Sequence, residues 1–219
     1  EWEDGSMLPA DAREADFPDI ARQFAEFAIG DGIDVAFGGG RAQFLPERAK
    51  DPEHPGVFGA RTDGRDLVAA WQGRHPKGSW VWNRAQFADL GAGTSGPVLG
   101  LFEPSHMRFE FERGEDTAGE PSLAEMTAKA IELLARNPRG YVLIVEGGRI
   151  DHGHHFGNAF RALGETVDVT AGVGTGAVET QPVAPSLFDA CPDVAAVAGA
   201  DPFVLAGLMA SLTPEAIGV

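Results

Sequence analysis

Residues 141–155 read YVLIVEGGRIDHGHH. Tyr141-Val142-Leu143-Ile144-Val145 is a short apolar run with β-branched residues, the pattern of a central strand in a parallel sheet. Glu146 follows at the strand's carboxyl end, the edge where open α/β sheets bind ligands. Gly147-Gly148 allows a tight turn. Asp151 and His155 are then spaced i,i+4, so one helical turn sets a carboxylate and an imidazole on the same face. Such a pair suits zinc, whereas Glu146 offers the hard oxygen that magnesium prefers. His152 and His154 point elsewhere on such a turn and are read, with Arg149, as groups that support or flank the ligands. The competing interpretation is a histidine-rich surface loop without an ion.

Working outward, Ser122–Arg136 has helical periodicity, with Leu123, Met126, Ala130, Ile131 and Leu134 on one face. Asn137-Pro138 ends it before the strand. Ile20 to Ala28 is a second helix candidate, preceded by Asp16-Phe17-Pro18-Asp19 as cap and first-turn proline. Residues 33–37 are then expected to form a strand, closed by Gly38-Gly39-Gly40-Arg41. No Gly-Lys-Ser/Thr follows, so these glycines are read as a tight turn and not as a phosphate cradle. Residues 65–72 suggest a short helix and 97–102 a strand. Arg108 to Glu112 alternates as a half-exposed strand would. Trp71, Trp80 and Trp82 are assigned to core and loop packing. His106 is read as a structural or surface imidazole. The alternation of strand and helix gives an α/β fold, a mainly parallel sheet flanked by helices.

The net charge of −16 argues against nucleic-acid binding, which depends on Lys and Arg neutralising phosphates. It also means that an anionic substrate would need local positive charge, which metal ions supply. Cys191 is the single cysteine, so no internal disulfide forms. Residues 194–212 are apolar, but Asp201-Pro202 interrupts them, so two short buried segments are expected and not a membrane span. Residues 1–16 are expected to be a loop or frayed segment, and Glu1-Trp2-Glu3-Asp4 lacks the basic character of a signal peptide.

Residues 17–167 resemble the alkaline phosphatases, metal-dependent phosphomonoesterases. The resemblance is carried by IARQF and GIDVAFGGGR within 20–41, LFEPSHMRFE (101–110), PSLAEMTAKAIELLARNPRG (121–140), VEGGRIDHGHH (145–155) and RALGET (161–166). It implies that Asp151 and His155 bind the zinc that activates water, and that Glu146 binds magnesium. It implies a phosphate monoester as substrate, a periplasmic or secreted location, and leaves a homodimer open. The family's nucleophilic serine stands in an Asp-Ser-Ala context that none of the serines here shares, and no histidine follows His155. No catalytic residue is therefore assigned, and two zinc ligands are named where three are usual; an unrelated metallohydrolase would need a further carboxylate or imidazole, such as Asp34 or His106, to converge on Asp151 and His155. Position 156 is Phe where the family usually carries a polar residue. Residues 1–167 are expected to form the α/β region, and 168–219 a Gly/Ala/Val/Pro-rich segment of separate character. The expected function is metal-dependent phosphomonoester hydrolysis by the chain or its parent; the alternative is a non-catalytic metal-binding remnant.

Overall fold

The computed structural model describes residues 3–30, 32–175 and 196–199. Five parallel strands form one sheet in the order β2-β3-β1-β5-β4. They are β1 (Val35–Gly38), β2 (Ser79–Val81), β3 (Val98–Leu101), β4 (Leu143–Glu146) and β5 (Ala196–Gly199). The helices are α1 (Ala10–Glu14), α2 (Ile20–Glu26), α3 (Arg41–Phe44), α4 (Leu67–Arg74), α5 (Arg84–Ala88), α6 (Leu123–Leu134), α7 (Arg149–His155) and α8 (Ala159–Thr175). Parallel strands must have both faces covered, and the alternation of side chains shows how this is done. Val35, Phe37, Val98 and Phe102 face one core with Leu123, Met126, Ala130 and Leu134 of α6. Ala36, Leu99 and Leu101 face the other, against Phe24 of α2 and Leu67, Val68 and Trp71 of α4.

The helix starts follow from local chemistry. Asp19 caps α2 by accepting from the Arg22 N–H, so Pro18 lies just outside the helix and not in its first turn. Asp66 and Asn83 cap α4 and α5 in the same way. Ser122 and Glu125 form a reciprocal capping box on α6.

Three expectations are corrected. Residues 108–112 do not form a strand; Glu110–Glu115 is a 3₁₀ turn. The alternation there reflects Phe109 buried in the interior and Phe111 turned outward, while the Glu110 N–H is taken by the Glu165 carboxylate at 2.5 Å and not by a neighbouring strand. Among the described residues β4 is not central: it ends the strand order beside β5, and its alternate residues Ile144 and Glu146 are exposed. Residues 3–16 are not frayed: Glu3 and Asp4 are buried, the Glu3 carbonyl accepts from the Ala21 N–H, and α1 follows. Helix α8 runs through position 167, where the sequence divides by composition. Of the apolar segment 194–212, only 196–199 falls within the described residues, as β5.

Candidate metal centre

β4 delivers Glu146 to the carboxyl edge of the sheet, and Gly147 turns the chain into α7. On α7 the i,i+4 spacing does what the sequence implies: Asp151 Oδ2 and His155 Nε2 stand 3.2 Å apart. Both side chains are about three-quarters exposed, at 74% and 75%. Two donors this close can share one cation while leaving its outer positions open. Gly153, between them, lies against α8, where a Cβ would come within 2.7 Å of the Ala162 backbone nitrogen. Glycine there lets α7 settle on α8.

The other histidines have different surroundings. His154 is exposed and lines a cleft of about 400 Å³ with Gly157, Ala162 and Leu163. His152 is half-buried, its Nδ1 within 3.0 Å of Arg149 Nη1. Its ring packs on that of His106 with centroids 4.5 Å apart. His106 thus meets α7 at His152. Asp34 precedes β1 and lines a second cavity with Arg136 and Asn137, at the amino edge of the sheet, opposite Glu146. The strand direction removes it as a ligand for this pair. Among the described residues, no third carboxylate or imidazole converges on Asp151 and His155.

Gly39 after β1 is a packing position, consistent with a turn and not a cradle: a Cβ would lie 2.2 Å from the Ser105 carbonyl oxygen. Arg41 follows, fully buried, and binds Asp51 at 2.7 Å and Glu53 at 3.0 Å. Arg41 also lies over the Trp82 ring, while Trp71 belongs to the core, in keeping with packing roles.

A second acidic group escaped sequence reasoning. Glu103, at the carboxyl end of β3, meets Asp116 and Glu120 with oxygens within 4.8 Å of one another. Glu53 adjoins Asp116, and burial together with that carboxyl pushes Glu53 up to about 7. Burial and the Glu103 charge push Glu120 up to about 8. Buried oxygens of Glu53, Glu103, Asp116 and Glu120 receive no hydrogen bond. Such an all-oxygen group fits a hard divalent cation. Asp116 and Glu120 are neighbours in sequence, but Glu53 and Glu103 are not, and no periodicity links the four; the turn of residues 104–119 and the tethering of Glu53 by Arg41 bring them together.

The family model described as alkaline phosphatase matches residues 1–187, further in both directions than the motifs suggest. An alkaline phosphatase of Gadus morhua is 45% identical over 179 residues, covering 80% of this chain and 37% of its own length. The tissue-nonspecific isozyme of Gallus gallus is 44% identical over 188 residues, covering 83% and 36%. The crystal structure of Thermus thermophilus alkaline phosphatase superposes with a TM-score of 0.54 at 33% identity, over 68% of this chain and 27% of that one. The chain thus spans about a third of the length of the curated relatives it matches.

Proposed function

Because the chain belongs to the alkaline phosphatase family, we propose that it forms the metal-holding part of a phosphomonoester hydrolase. Asp151 and His155 hold zinc and Glu146 holds magnesium. The carrying observation is the 3.2 Å approach of Asp151 and His155 on an open face of α7. The donor types fit: one carboxylate and one imidazole make an incomplete but suitable zinc set, and Glu146 a hard oxygen donor. The bound cations supply the positive charge needed to stabilise a phosphate ester and its developing negative charge. In a chain of net charge −16 that charge cannot come from the protein at large. The contribution of this chain's own groups is placement. Asp151 and His155 share one helix turn, and Arg149 orients His152 beside them.

A phosphate monoester is the proposed substrate of a polypeptide of the relatives' length, in a periplasmic or secreted setting. Among the described residues no helix is long and apolar enough to cross a membrane. The test is hydrolysis of a chromogenic phosphomonoester at alkaline pH with zinc and magnesium, using the chain both alone and fused into a relative in place of the matching segment. The fusion is expected to turn over, and to stop on chelation or on Asp151→Ala. A fusion that binds zinc but hydrolyses nothing favours the non-catalytic metal-binding alternative.

A further inference from the structure

α7 has seven residues and no side-chain cap at its start. A helix this short does not hold its shape by its own hydrogen bonds, so its order must come from what it packs against. Arg149 is its first residue and Phe156 its C-terminal cap, with Asp151 and His155 between. Both ends meet the same ring, that of Phe109, which is only 2% exposed. The Arg149 guanidinium carbon lies 3.8 Å from the ring centroid, and Phe156 approaches it edge-on at 6.2 Å. Arg161, on α8, lies 4.5 Å from the same centroid and is paired with Glu112 of the 3₁₀ turn. The turn itself is fastened to α8 where the Glu110 N–H meets Glu165. One buried ring thus joins two cations and a second ring, and cation–π attraction is strongest where water is excluded.

We propose that Phe109 is a positioning residue for the metal helix: by holding Arg149 and Phe156 at the two ends of α7, it fixes the orientation in which Asp151 and His155 meet a cation. The proposal rests on the assignment of those two residues as ligands. It requires the π face and not mere apolar bulk, which leucine would also supply.

The test uses the full chain and two readouts: hydrogen exchange of residues 149–155, and zinc titration by calorimetry. Phe109→Leu is expected to speed exchange in α7 and to weaken zinc binding about tenfold, as loss of groups that orient metal ligands does. Phe109→Tyr, which keeps the aromatic face, is expected to restore both. If Leu matches wild type, or if Leu and Tyr are impaired equally, the proposal is overturned. Should Phe109→Leu lose its cooperative melt, Phe156→Leu removes the ring contact at one end of α7 while keeping Phe109, at a side chain 65% exposed, and the same two shifts are expected. If α7 loosens in the variants but wild type takes up no zinc, the positioning role stands and the ligand assignment of Asp151 and His155 falls.

Discussion

Single residues carry the metal argument. The closeness of Asp151 and His155 is legible in the sequence because it is local: helical spacing alone fixes which face each occupies. Since loss of a group that merely orients a ligand costs roughly 10–100-fold in affinity, loss of a ligand is expected to cost at least about 100-fold. Calorimetric zinc titration of Asp151→Ala and His155→Ala should show that drop, with His154→Ala close to wild type. Equal affinity in all three variants would place the zinc elsewhere. Gly39 shows the limit of residue-level reading. The glycine run announces a turn, but which glycine is indispensable depends on Ser105, far away in sequence. The 2.2 Å approach to its carbonyl predicts that Gly39→Ala costs about 3 kcal/mol, in the overpacking range. Urea denaturation should show it as a lowered midpoint, and Gly93→Ala, which meets nothing within 4 Å, serves as the control.

At the scale of elements, helices with a cap and a periodic face were the most legible parts. α6 announces itself through Ser122, Glu125 and the apolar face that fills one core. Ser122 Oγ accepts from the Glu125 N–H at 3.1 Å, and Glu125 returns the bond to the Ser122 N–H at 2.8 Å. Ser122→Ala is therefore expected to cost about 1 kcal/mol in urea denaturation. Ser122→Asp, which retains a capping acceptor, should recover most of it; if Ala is neutral, the cap contributes nothing to the fold. The 108–112 segment departs from the strand expectation for a reason of the same scale. Alternating burial is necessary for a strand but not sufficient, because a turn beneath a helix buries Phe109 and exposes Phe111 equally well. β4 is legible as a strand but its place in the sheet is not, since strand order is set by crossovers that periodicity does not encode.

The molecule as a whole is acidic, and several of its carboxyls are buried where they resist ionisation. Burial, with the neighbouring Glu103 charge, pushes Glu120 up to about 8 from the ordinary 4.5. Burial likewise raises Glu103, Glu165 and Asp168. A carboxyl whose folded pKa lies above its unfolded value binds protons more tightly in the native state. Its stabilising contribution is complete below the unfolded value and is lost as pH rises through the folded one. For Glu120 that window runs from about 4.5 to about 8. In a chelator, the melting temperature is therefore expected to fall between pH 5 and pH 9 by about 5 °C or more. Glu120→Gln, which removes the buried charge, should flatten the profile. A profile in which stability rises across this range, or one unaltered by Glu120→Gln, would refute the assignment. Calcium or magnesium adds a second arm. The oxygens that Glu53, Glu103, Asp116 and Glu120 leave without donors can meet a cation only when deprotonated, so the cation's stabilising effect should grow towards pH 9. A fold that weakens as these carboxyls ionise is therefore expected to regain stability under alkaline conditions when a divalent cation is added, and an equal response in Glu120→Gln would place the cation elsewhere.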